Sequence, residues 1–229
     1  MAIANPNYNG RYESLFTGLV AAYDFKGDAK DWSGNGNDGT VTGPTLTTDY
    51  FNIANSAYNF DGVDDYIDVG TPLIDPVTDS FTISFWVKSD DSFYTRPVFI
   101  GNNHDNLNGF YILYQGDTNI FRIKFGGTSY DYSSINFADT NWHHIVMTYD
   151  TTTRIAEVFI DGSSIGTQTE SSRNSPIGVM QIGAYNNGAS NVLDGVIDEV
   201  FIWNRTLSAD EVKTLYDLQS KKDIYTYGF

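Results

Sequence analysis

FTISFWVK, residues 81–88, alternates Phe81, Ile83, Phe85 and Val87 with Thr82, Ser84, Trp86 and Lys88. A period of two puts one set on each face of an extended chain, so this segment predicts a half-buried strand. The same signal recurs in LVAAYDF, YIDV, GFYILYQ, IFRIKFG, WHHIVMTYD, RIAEVFIDG, GVMQIGA and VIDEVFIWN, parted by clusters of Gly, Asn, Asp and Pro. Asp161-Gly162, between RIAEVFI and SSIGTQT, is a hairpin turn by its chemistry. Many short strands joined by turns build a sandwich or jelly roll, and 229 residues fit into one such domain. Only LSADEVKTLYDL reads as a helix. There Ser208 and Glu211 form a capping box, Leu207 can staple to Val212, and Val212, Leu215, Tyr216 and Leu218 give an apolar face.

Composition narrows the function. With 29 acidic against 13 basic residues the net charge is -16, which repels a phosphate backbone, and no basic stripe offsets it; nucleic acid is not an expected partner. The only glutamates are Glu13, Glu157, Glu170, Glu199 and Glu211, so the acids are mostly Asp, the residue of turns and of oxygen shells around hard cations. Cysteine is absent, which leaves no disulfide, no Cys-based metal site and no thiol nucleophile. No run of apolar residues is long enough to insert into a membrane, and MAIANPNYNGRYESLF carries no conventional secretory signal.

GLVAAYDF, DWSGNGNDGT, YNFDGVDDYIDV, FTISFWVK, NWHHIVMTYD, VFIDGSSIG and LDGVIDEVFIWNRTLSADEVKTLY occur in that order. Together they resemble the laminin G-like, concanavalin A-like jelly-roll family. The resemblance covers residues 18–218 and leaves residues 1–17 as an N-terminal arm and residues 219–229 as an aromatic C-terminal tail. It implies an all-β sandwich of two antiparallel sheets with one short C-terminal surface helix. It also implies, in many members, one bound calcium and use as a recognition module.

Residues 31–40, DWSGNGNDGT, concentrate oxygen donors and flexible backbone. Asp31 offers a carboxylate, Asn35 and Asn37 offer amide or backbone oxygens, and Gly34 and Gly36 permit left-handed turns. A second acidic loop holds Asp61, Asp64 and Asp65, and a third holds Asp198 and Glu199. In the resembling family the first and last strands are neighbours, which brings Asp31 and Asp198 within reach of each other. A structural calcium ion on Asp31, Asn35, Asn37, Asp61 and Asp198 is therefore expected, against the alternative that Asn, Gly and Asp here only make turns.

Catalysis finds little support. The glucan-cleaving enzymes of this fold use an E-x-D-x-x-E strand, which none of the five glutamates forms. His143 and His144 are adjacent on a strand and point to opposite faces, so they cannot share a site. No serine sits in a nucleophile elbow.

Binding is easier to motivate, because sugars stack on aromatic rings and pair their hydroxyls with Asn, Asp, Gln and Arg. Two segments mix these types: Tyr94, Arg96, Asn102, Asn103, His104 and Tyr111 in one, Tyr185, Asn186 and Asn187 in the other. The alternative is that both are ordinary surface loops. Asn204-Arg205-Thr206 matches a glycosylation sequon and reads as linkage between strand and helix. The expectation is a non-catalytic module that recognises carbohydrate or another cell-surface ligand, outside the cell or on a virion. The second reading is a virion structural part, a fibre or capsid decoration, contacting other virion proteins through its arm and tail.

Overall fold

The computed structural model describes residues 13–89, 97–102, 108–115, 118–133, 137, 139–176, 178–184, 188 and 191–221. Its strands are β1 (Leu19–Tyr23), β2 (Thr40–Thr42), β3 (Thr45–Thr47), β4 (Ala57–Asp61), β5 (Tyr66–Asp68), β6 (Phe81–Lys88), β7 (Val98–Gly101) and β8 (Phe110–Gln115), followed by β9 (Ile120–Phe125), β10 (Thr128–Ser133), β11 (Trp142–Asp150), β12 (Ile155–Ile160), β13 (Ser163–Thr169), β14 (Gln181–Ile182) and β15 (Asp194–Trp203). Two helices, α1 (Glu13–Phe16) and α2 (Ala209–Gln219), flank them.

Every strand pairing is antiparallel, and the strands form two sheets. Sheet A runs β13-β12-β11-β6-β15-β4-β3, with β1 also paired to β15; sheet B runs β10-β9-β8-β7-β14-β5-β2. Alternate residues of both sheets meet in one core that includes Phe81, Phe85, Phe99, Phe110, Phe121, Phe125 and Tyr149. Rings pack across the layers, with Phe81 and Phe110 centred 5.0 Å apart and Phe125 and Tyr149 4.8 Å apart. Each such side chain, taken fully out of water, contributes about 1.5–3 kcal/mol.

Strand β6 is more buried than its alternation predicts: Thr82, Ser84 and Trp86 are shielded as well as the apolar set. The reason is a second apolar layer on the outer face of sheet A. Ala22, Val146, Phe159, Phe201 and Trp203 meet Leu15 of α1 and Leu207, Val212, Leu215 and Leu218 from the α2 region. The polar side chains of β6 bond within this layer. Thr82 Oγ1 donates to the Arg205 carbonyl at 2.8 Å, Ser84 Oγ lies 2.7 Å from His144 Nε2, and Trp86 Nε1 donates to Gln219 Oε1 at 3.2 Å.

Helix α2 begins with the expected capping box, Ser208 accepting from the Glu211 amide while the Glu211 carboxylate accepts from the Ser208 amide. Helix α1 falls inside the expected arm and is tied down, the Trp203 indole donating to the Leu15 carbonyl at 2.6 Å. Arg205, inside the sequon, links strand to helix through Glu211 at 2.9 and 3.0 Å and through the Thr17 carbonyl at 2.7 Å. The hairpin between β12 and β13 turns on Asp161 (φ 51°) and Gly162 (φ 74°), both left-handed.

Candidate functional site

The Gly-Asn stretch is a cover for β1. One edge of β1 pairs with β15, and an open second edge would present unpaired amides and carbonyls. Asn35 Nδ2 donates to the Leu19 and Val20 carbonyls, each at 3.0 Å, and Asn37 Nδ2 donates to the Val20 carbonyl at 2.9 Å. Asp31 accepts from the amides of Ala22 (3.0 Å), Ser33 (2.8 Å) and Asn37 (2.9 Å) and from the Ser33 hydroxyl (2.8 Å). Both amides thus aim nitrogen at β1, and both Asp31 oxygens are engaged, by the loop itself and by the Ala22 amide of β1.

The remaining expected cation ligands belong to two other groups. Asp61, Asp64 and Asp65 each bring one oxygen within 4.8 Å of the others. Asp61 Oδ1 accepts from the Val63 amide and Asp65 Oδ2 from the Asp61 amide, both at 2.9 Å, so that loop also bonds to itself. Asp198 is fully buried in β15 beside Glu199. Burial, then the neighbouring Glu199, Asp49 and Asp24 carboxylates, holds its carboxyl well above the usual range.

Among the expected ligand-binding residues, Asn102 is wholly buried and ties the start of β8 to the β5–β6 connection: its Oδ1 accepts from the Phe110 amide at 2.9 Å and its Nδ2 donates to the Ile74 carbonyl at 3.0 Å. Tyr94, Arg96, His104, Tyr185 and Asn186 lie outside the described residues. Tyr111 stands on β8 between core residues Phe110 and Ile112, so its ring projects from the outer face of sheet B, where it packs with Val98 and Leu113.

Strand register extends Tyr111 into a row across the sheet. Ser129 pairs with Lys124, Lys124 with Tyr111, Tyr111 with Gly101, Gly101 with Gln181, Gln181 with Asp68, and Asp68 with Thr40. The Lys124 ammonium lies 5.2 Å from the Tyr111 ring centre, a cation–π contact. Gly101 is required where it stands, because a Cβ there would meet the Tyr111 Cβ at 2.5 Å. Beside the row, Arg122 grips Asp131 through two bonds of 2.5 and 2.8 Å. The middle of the row is shielded, with Gln181, Tyr111 and Lys124 at 2%, 8% and 9% exposure, while Thr40 and Ser129 at its ends face solvent. An aromatic ring, an ammonium, an amide, a carboxylate and hydroxyls on one face form the mixed lining that a polyhydroxylated ligand needs. Lys124, Gln181 and Asp68 went unnoticed in the sequence. Their only signal is alternation with Ile123, Ile182 and Ile67.

Residues 61–213 match the concanavalin A-like lectin/glucanases superfamily, more than half of the chain. The chain belongs to that superfamily. This concanavalin A-like chain is 28% identical over 149 residues to the non-toxic nonhemagglutinin of Paraclostridium bifermentans, covering 61% of its own length and 12% of that protein. Its fold is similar to the binding domain of Paraclostridial Mosquitocidal Protein 1, with a TM-score of 0.70 and 21% identity over 90% of this chain and 53% of that one. It is also similar to domain 4 of AbnA, a GH43 extracellular arabinanase from Geobacillus stearothermophilus, in complex with arabinotriose. There the TM-score is 0.66 at 23% identity, over 86% of this chain and 98% of that domain.

Proposed function

We propose that this chain is a non-catalytic recognition module that holds a carbohydrate against the outer face of sheet B. The observation that carries this reading is the row Ser129, Lys124, Tyr111, Gly101, Gln181, Asp68 and Thr40, assembled from all seven strands of sheet B by register alone. The outer face of sheet A, by contrast, is occupied by the chain's own helices. Similarity to an arabinanase domain in complex with arabinotriose and to the binding domain of a mosquitocidal protein supports the same class of role. The extracellular setting of the arabinanase supports action outside the cell.

The accessible part of the row, Thr40, Asp68 and Ser129, offers bonds to sugar hydroxyls, and the shielded Tyr111, Lys124 and Gln181 hold those strands in register. Glycan arrays followed by titration calorimetry test this. Thr40→Ala and Asp68→Asn should leave the fold intact and together weaken the best ligand about tenfold, the loss of one or two hydrogen bonds. Trp32→Ala, on the β1 cover, should bind as the wild type does. No glycan binding together with assembly into virions would favour the structural role, and polysaccharide cleavage by the pure protein would overturn non-catalytic recognition.

A further inference from the structure

The helices on the outer face of sheet A stop short of one corner. Helix α2 ends over Trp86: the Tyr216 ring is centred 5.9 Å from the Trp86 ring, and Gln219, the last residue of the helix, accepts from the Trp86 indole. Lys88 lies two residues further along β6 and faces the same way, since Phe85 and Val87 point into the core. Register carries that position across the sheet: Trp142 of β11 pairs with Lys88, Lys88 with Val196 of β15, Val196 with Asn59 of β4, and Asn59 with Thr45 of β3. Thr45 is exposed and the other four are half-buried, so water reaches the whole row, unlike the shielded middle of the sheet B row.

Tyr50 stacks on Trp86, ring centres 4.5 Å apart and planes within 5°, and meets Trp142 edge-on at 6.5 Å and 66°. Tyr50 and Trp142, both half-buried, thus form adjoining aromatic walls, surfaces on which the C–H face of a sugar packs. Lys88 beside them is unusual for this chain. With 29 acidic residues against 13 basic, a cation finds an acid easily, and every other described lysine and arginine is held by a carboxylate or, for Lys124, by a ring. Among the described residues Lys88 is the one cation with neither. A half-buried ammonium of this kind makes a stronger, charge-assisted hydrogen bond to a carboxylate than to a neutral hydroxyl.

We propose that this corner binds an oligosaccharide that carries one carboxylate, the carboxylate on the Lys88 ammonium, its sugar ring against Trp142 and Tyr50, and hydroxyls of the following units on Asn59 and Thr45. The row covers four strand spacings, about 19 Å, which suits a short oligosaccharide rather than a single ring. Charge limits the ligand to one negative group. Asp61 and Asp194, both exposed and paired with each other in register, come next along the same face and repel a polyanion. The site lies on the opposite side of the core from the row on sheet B and is independent of it.

Titration calorimetry of the full chain with sialyllactose against lactose, and with glucuronosyl-xylotriose against xylotriose, tests the assignment and tells a sialic from a uronic acid. At least one acidic ligand should bind about tenfold tighter than its neutral counterpart. Lys88→Met, which keeps the stem and removes the charge, should abolish that preference, Lys88→Arg should retain most of it, and Lys30→Met, at an exposed lysine paired with Asp28, should bind as the wild type does. The Trp142 indole N–H resonance should shift during the titration, and unchanged melting midpoints show that the variants are folded. No binding of either acidic ligand, equal affinity for acidic and neutral partners, a preference that survives Lys88→Met, an unshifted Trp142 indole or tighter binding of heparin each overturn the proposal. A neutral glycan held on sheet B should bind Lys88→Met unchanged, which separates failure of this site from failure of that one.

Discussion

His143 is gripped at both ring nitrogens, Nδ1 by Asp161 Oδ2 at 3.0 Å and Nε2 by Asp139 Oδ1 at 3.2 Å. The bond to Asp161 leads in raising its pKa above 6.5, with burial opposing and Asp139 adding to the rise. A raised folded-state value means the native state holds the proton more tightly, so this stabilisation is full below pH 6.5 and is lost as pH rises through the folded value. Unfolding midpoints of wild type and His143→Gln should therefore differ most near pH 6 and converge above pH 8; a constant gap would contradict the ion-pair account. His144 behaves in the opposite sense. Fully buried beneath α2, with Ser84 Oγ 2.7 Å from its Nε2, it is pushed down to about 3 by desolvation. Below pH 6.5 the unfolded chain takes a proton that the native state refuses, so acid destabilises the fold through His144.

At the scale of elements, two local devices hold the sandwich together: the cap of α2 and the cover of β1. Ser208→Ala should cost about 1 kcal/mol in chemical denaturation, the usual loss of a helix cap. Asp31→Ala should cost about 2 kcal/mol or more in the same measurement, because four donors of the cover and β1 lose their acceptor at once. Added calcium should not restore that stability, and wild-type stability in Asp31→Ala would show that the cover is dispensable.

Strands with a strong period of two, such as β6, β8, β9, β11 and β15, were legible in the sequence, and so was α2 with its cap. Strands β2 and β3 were not, since three residues of TVT or TLT are too short for a period. Strand β10, TSYDYS, hides its inward Tyr130 and Tyr132 among polar neighbours. DWSGNGNDGT was legible as a turn-rich loop, while the direction of its amides, nitrogen toward β1, depends on an edge that only the folded sheet creates. The sheet B row escaped for the same reason: Lys124, Gln181 and Asp68 are far apart in the chain and share a face only through pairing.

For the molecule as a whole, the two outer faces divide the work. Sheet A is sealed by α1, α2 and their apolar layer as far as Trp86. Sheet B keeps a registered row of polar and aromatic groups whose ends reach solvent. Among the described residues no helix is long and apolar enough to cross a membrane, and the net charge of -16 points away from polyanionic partners. Amide chemical-shift mapping during titration with the tightest glycan from the array tests the central assignment most directly. The predicted result is a continuous set of perturbations across β9, β8, β7, β14 and β5; perturbations confined to α2 and the outer face of sheet A would contradict it.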